Sequence, residues 1–167
     1  MDPQIIAYAY VGSLLTSLLL VAAAWRWPNL GRLLYALMFI WAAQYNLRTA
    51  FVRPEEYLGF AQYAYLPAYR AFILGPFAQH ITSIVATIAL SQLAIALLLL
   101  GTTRAARLGM AGGIVFLVAI APLGTAAAFP STLVMALGLA LLWRVAFGRS
   151  LPRLLRDRFV RLSAPPD

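Results

Sequence analysis

Residues 76–100 read Pro-Phe-Ala-Gln-His-Ile-Thr-Ser-Ile-Val-Ala-Thr-Ile-Ala-Leu-Ser-Gln-Leu-Ala-Ile-Ala-Leu-Leu-Leu-Leu, without one Asp, Glu, Lys or Arg. A helix that crosses the hydrocarbon core of a bilayer needs roughly 20 predominantly apolar residues. This run supplies them, and Gly75-Pro76 in front marks its start, since proline is tolerated in a helix's first turn. With no water to satisfy the backbone, a spanning segment is either a helix or a strand of a closed barrel. Barrel strands alternate polar and apolar residues over short segments. The run here is long and continuous, so it reads as a helix.

Four further apolar runs lie on either side, at about residues 5–25, 30–52, 108–128 and 130–147. Pro122 and Gly124 are placed to kink the fourth, and a loop at 122–130 would shorten it. The expected fold is an all-α membrane protein, a bundle of about five transmembrane helices forming a single domain over residues 1–149.

Composition agrees. The 167-residue chain is 63% hydrophobic and 11% charged, where a soluble domain carries about 25% charged residues. A soluble fold of this size could not hide that much apolar surface. The absence of cysteine excludes disulfides, thiolate metal sites and iron–sulfur clusters. The single histidine, His80, is too few for a zinc site or a bis-histidine haem, so no metal site is expected. Asp2, Glu55, Glu56, Asp157 and Asp167 all fall outside the apolar runs. That leaves a proton path without carboxylates and a serine–histidine pair without an acid to orient it.

The net charge of +8 comes from thirteen arginines. Their placement follows membrane topology rather than nucleic-acid binding, because cytoplasmic loops concentrate basic residues. With five crossings, Arg26, Arg32, Arg104, Arg107, Arg144, Arg149, Arg153, Arg156, Arg158 and Arg161 share one side. Arg48, Arg53 and Arg70 take the other, beside Glu55 and Glu56. The N-terminus is then outside and the C-terminus cytoplasmic, in the inner membrane of a bacterium. The first run reads as a retained crossing rather than a cleaved signal, since Asp2 precedes it and Arg26 follows it, the wrong polarity for cleavage.

Residues 53–75 form an outer loop rich in aromatics, with Tyr57, Phe60, Tyr63, Tyr65, Tyr69 and Phe72. Tyrosine favours the headgroup layer, where the ring is buried and the hydroxyl stays wet. Two roles stay open, an aromatic belt or a lid over a ligand. Residues 150–167 form an amphipathic tail. Leu151, Leu154, Leu155, Phe159 and Leu162 share one helical face, and Arg153, Arg156, Asp157 and Arg161 the other. With Arg149, its arginines are expected on anionic lipid at the inner surface.

Polar groups at membrane depth are costly and so mark candidate function. Gln44 and Arg48 lie one turn apart on the second run. On the third, His80, Thr87 and Ser91 share a stripe, Gln79 adjoins it and Gln92 points elsewhere. Gln44, Arg48, Gln79 and His80, with Tyr65 and Tyr69 above them, are the candidate lining of an outer-leaflet pocket. All are hydrogen-bond donors, a set suited to the carbonyls of a quinone. The competing reading is structural glue between helices.

The stretch Gly31 to Ala43, ending in Asn46-Leu47-Arg48, resembles the first-helix signature of DoxX-like membrane proteins. Residues 89–101 followed by Arg104 resemble their second helix, and Gly148-Arg149-Ser150-Leu151 their C-terminal close. The resemblance covers about 120 residues from Gly31 onward. It implies a four-helix bundle, here with an additional N-terminal helix, and a place beside redox systems, since the family includes a subunit of a thiosulfate:quinone oxidoreductase. The chain departs from the family in having Gln92 where an acidic residue is common, and in lacking the cysteines of some redox members. The reading that follows is a non-catalytic accessory subunit of a membrane assembly, with other membrane subunits, further copies of itself and lipid as partners. A quinone or lipid-like ligand-binding protein is the alternative, and a small transporter is the least favoured.

Overall fold

The computed structural model describes residues 3–154 and 156, and these residues are all-helical with no strand. Six α-helices follow in order: α1 (Pro3–Arg26), α2 (Pro28–Val52), α3 (Pro67–Phe72), α4 (Ile81–Leu99), α5 (Thr103–Ile120) and α6 (Ser131–Leu142). Tighter 3-10 segments at Pro54–Gln62 and Ala121–Ala127, and a π-turn at Ile73–Phe77, join them. The tail face built on Leu155, Phe159 and Leu162, with Asp157, Arg158 and Arg161, lies outside the described residues.

Local chemistry sets the boundaries. Trp27 has non-helical angles between α1 and α2, and Pro28 starts the next helix without needing an N–H partner. The third apolar run is helical from its start but broken before α4. Gly75 leaves helical geometry (φ −108°, ψ −106°) and His80 is the residue before α4 (φ −136°), so α4 begins at Ile81 rather than Pro76. The fourth run starts earlier, at Thr103. It passes into 3-10 geometry at Ala121, where Pro122 removes a backbone donor. The fifth ends at Leu142 instead of Phe147 and spans 12 residues, about 18 Å of helix.

The five long helices form a ring in the order α1, α2, α4, α5, α6, with α6 closing on α1. Small residues line the contacts. Gly31 faces the backbone of Ala24, Gly109 faces Leu99 and Ile95, and Gly113 faces Leu139 and Phe39. Ala24, Ala36, Ala96 and Ala106 are buried, whereas Ala140 is exposed. Tyr35 and Phe39 of α2 fill the centre together with Met110, Leu139 and Leu142. A second apolar cluster, Ala50, Ala61, Ile73, Phe77 and Val85, lies under the aromatic loop.

Large apolar side chains point outward along every long helix. Leu15, Leu18 and Leu19 do so on α1, Leu37 and Trp41 on α2, Leu90 and Leu97 on α4, Leu108 and Val115 on α5, and Leu133 and Leu137 on α6. The segments Ile81–Leu99 and Thr103–Ala127 are long and apolar enough to cross a membrane, and only 28% of each apolar window is buried.

The two ends of the ring differ. Arg26, Arg32, Arg104, Arg107, Arg144, Arg149 and Arg153 gather at one end with the exposed Trp25, Trp27 and Trp143. The aromatic loop occupies the other end, where Arg53 pairs with Glu56 at 2.7 Å.

Candidate functional site

The six residues expected in an outer pocket fall into two groups. Gln44, Arg48, Gln79 and His80 are exposed, and their side chains make no hydrogen bond among the described residues. His80 stands at the break before α4, so its ring is not presented from within the helix. Tyr65 and Tyr69 instead belong to a cover. The Tyr69 hydroxyl donates to the Ala119 carbonyl at 2.8 Å, near the end of α5 where carbonyls lack helical partners. The Tyr65 N–H donates to the Pro122 carbonyl at 2.9 Å, and its ring meets Phe129 edge-on at 5.3 Å. The loop therefore lies over the α5–α6 connection. Ala128 adopts positive φ there (57°), and the Phe129–Pro130 bond is cis.

The polar groups that do converge lie between α2, α4 and the loop. Asn46 donates through Nδ2 to Gln92 Oε1 at 2.9 Å, and the Tyr57 hydroxyl donates to Asn46 Oδ1 at 2.9 Å. Gln92 is buried. It faces α2, although on a helical wheel it sits apart from the His80 stripe. Burial pushes the Tyr57 phenol up to about 12; Tyr45 and Glu56 add to this and Thr49 partly offsets it. The folded value exceeds the unfolded one of about 10. The neutral phenol's contribution is therefore complete below pH 10 and is lost as pH rises from 10 towards 12.

This triad reads as structure rather than chemistry, because an amide pair capped by a phenol holds no group that titrates near neutrality. Gln92→Leu should leave Asn46 Nδ2 unpaired between α2 and α4. The expected loss is about 1–2 kcal/mol, the range for polar contacts between membrane helices and for orphaned donors. Thermal unfolding in detergent measures it, and an unchanged melting temperature would remove the triad from the account.

The hydroxyls on the exposed face of α4 are satisfied locally. Ser83, Thr87 and Ser91 each bond back to a carbonyl of their own chain three or four residues earlier. They form a small, exposed stripe on α4. Between α1 and α6, Ser13 and Ser131 approach to 3.1 Å.

The Arg-rich end holds the feature that the sequence conceals. Arg32 sits near the start of α2 and reads as one topology-setting charge among ten. It is fully buried. Its Nη1 donates to the Gly101 carbonyl at 2.9 Å, just past the end of α4, where the helix dipole favours a cation. The Phe147 ring lies 4.3 Å from the guanidinium carbon. Nε and Nη2 have no hydrogen-bond partner among the described residues. The segment after α6, which carries Phe147, is held to the α4–α5 turn by Thr103 N–H to Phe147 C=O (3.0 Å) and Leu151 N–H to Leu100 C=O (2.9 Å). Leu151 is buried, and Arg149, Arg153 and Arg156 are exposed. A buried arginine could be suspected from sequence only through its spacing: Arg32, Tyr35, Ala36, Phe39 and Ala43 follow the rhythm of α2's inward face.

Set against protein-family models, curated proteins and solved structures, the chain matches no family model, and no curated protein or solved structure is significantly similar to it.

Proposed function

We propose that the chain is a multi-pass protein of a bacterial inner membrane, with five crossings, the aromatic loop outside and the arginine end in the cytoplasm. Within that membrane it serves as a non-catalytic accessory subunit of a larger assembly, a redox one by its DoxX-like resemblance. The observation that carries the membrane reading is the inverted distribution of side chains. Alanine and glycine line the helix contacts, while leucine, valine and tryptophan face outward on all five long helices. A water-soluble monomer rarely exposes so continuous an apolar surface, and lipid removes the cost. Arginine at one end and exposed aromatics at both match the charge bias and interfacial belts of membrane proteins.

The subunit reading rests on the outward polar groups. Gln44, Arg48, Gln79 and His80 are exposed at or near the outer half of α2 and α4, where lipid satisfies them poorly. The neighbouring Ser83–Thr87–Ser91 stripe is small enough for close approach of another helix. Polar groups of a partner crossing would relieve both. A quinone or lipid-like ligand at Gln44, Arg48, Gln79, His80, Tyr65 and Tyr69 is the alternative. It has less support, because five of the six are exposed and Tyr69 is already bonded to Ala119.

Native mass spectrometry after mild detergent extraction tests the proposal. Masses well above the 18.2 kDa monomer, reverting to monomer in Thr87→Leu with Ser91→Leu, are expected. A lone monomer from the wild type would contradict a subunit role.

A further inference from the structure

We propose that Arg32 is an oxyanion site that takes a phosphate group, supplied by the headgroup of an anionic phospholipid of the inner leaflet. The proposal rests on the membrane reading above for the source of the phosphate, and on the geometry of Arg32 for the site itself.

Arginine binds phosphate most strongly through two parallel N–H donors on one edge of the guanidinium. In Arg32 the far nitrogen, Nη1, is committed to the Gly101 carbonyl, and the two donors left over are Nε and Nη2. These adjacent nitrogens form one edge of the fork, the edge that meets two oxygens of a phosphate side-on. Among the described residues the guanidinium also has no acidic partner. The described acidic side chains, Glu55 and Glu56, belong to the opposite end of the bundle, while Arg26, Arg104, Arg107, Arg144 and Arg149 surround this one. A carbonyl and a ring face hold the cation in place but leave its charge unneutralised, and a buried cation demands an anion. The local field draws anions to this end and repels further cations.

Access comes through the segment 146–150. It is irregular, it carries Gly148 in open space, and two backbone hydrogen bonds hold it down. Lifting Phe147 removes the ring that lies over the guanidinium. Lipid binding is thereby coupled to release of the strap between the α4–α5 turn and the tail.

The test uses the purified full-length chain in phosphatidylcholine bilayers with and without phosphatidylglycerol, reading the melting temperature and, by native mass spectrometry, the phosphatidylglycerol retained. Wild type should retain phosphatidylglycerol and gain stability from it. Arg32→Lys keeps the charge but loses the fork, and should retain the lipid about tenfold less well, as expected for losing one charge-assisted hydrogen bond. Arg32→Met should lose the lipid response. In phosphatidylcholine alone it should be at least as stable as wild type, since it removes an uncompensated cation. Arg104→Gln with Arg107→Gln, both exposed, should leave retention close to wild type.

Equal retention in wild type and Arg32→Lys would overturn the site. So would a loss in the Arg104, Arg107 double variant as large as that in Arg32→Lys, which would mean diffuse surface attraction. A lipid response that appears only in Asp157→Asn would show the edge already taken by a carboxylate of the same chain, and would overturn it too. Stabilisation by inorganic phosphate with no phospholipid retained would support the oxyanion edge and overturn the lipid source. Should Arg32→Met fail to fold, Arg32→Lys against wild type still decides. Release of the wild type from membranes by alkaline carbonate would overturn the membrane reading separately, leaving the inorganic phosphate arm to judge the edge.

Discussion

Gly124→Ala should cost about 2–6 kcal/mol and leave the α5–α6 end of the bundle without its cover. Gly124 has φ 75° and ψ −148°, a region open in practice only to glycine, where another residue pays about 1–3 kcal/mol. Independently, an added Cβ would overlap the Tyr63 carbonyl oxygen. That oxygen belongs to the loop backbone, which is fixed just beyond by the Tyr65 N–H bond to Pro122, so it cannot step aside as a flexible side chain would. Overpacking of this kind typically costs another 1–3 kcal/mol or so. Against a total stability of about 5–15 kcal/mol, the sum is large. Thermal unfolding in detergent, with limited proteolysis of the 54–72 loop, reads the effect. Gly148→Ala is the control, because nothing lies near its would-be Cβ, and it should melt like wild type. Equal melting temperatures for the two variants would mean that the loop does not rest on the α5–α6 connection.

The second large effect is at the centre of the ring. Tyr35 is fully buried and its hydroxyl donates to the Met135 carbonyl at 2.8 Å, passing directly over Gly138. Gly138 is what lets the phenol reach the α6 backbone. Gly138→Ala would place a methyl group on the hydroxyl oxygen, forcing the ring out of its position beside Phe39 and Leu139. The expected cost is about 2–4 kcal/mol, combining overpacking with a lost buried hydrogen bond. Adding Tyr35→Phe removes the clashing atom, and the double variant should recover about 1 kcal/mol or more relative to simple additivity. Strict additivity would place Tyr35 and Gly138 out of contact.

Much of the fold is readable in advance from the charge-free run before Leu100. Its apolar length predicts a helix, and α4 occupies its last nineteen residues. The segregation of arginine likewise foretells which helix ends lie together, as the bonds from Arg32 to Gly101 and from Thr103 to Phe147 then do. The helix termini are less readable. Gly75-Pro76 carries both a start signal and a kink, and a second break at His80 delays α4 until Ile81. That shift moves His80 off the helix and dissolves its expected alignment with Gln44.

The polar contacts are the least readable, because a helical wheel assigns a face but not a neighbour. Asn46 and Gln92 meet from positions 46 residues apart, and only the pairing of α2 with α4 brings them together. Arg32 escapes for a different reason. An arginine at the end of a long apolar run is so readily read as a topology signal that nothing in the sequence asks whether it faces water. Its burial depends on Phe147 and Leu151, more than a hundred residues further on, folding back across the α4–α5 turn.

On the proposed topology, lipid surrounds this ring of helices, with the aromatic loop outside and the arginine end in the cytoplasm. Because the chain has no cysteine, single cysteines can report it directly. Gln62→Cys and Thr102→Cys, both at exposed positions, are expressed in intact bacterial cells and treated with a membrane-impermeant maleimide. Gln62→Cys should be labelled once the reagent has reached the periplasm, and Thr102→Cys only after the inner membrane is opened. The reverse pattern, or equal labelling of both in a soluble fraction, would contradict that topology.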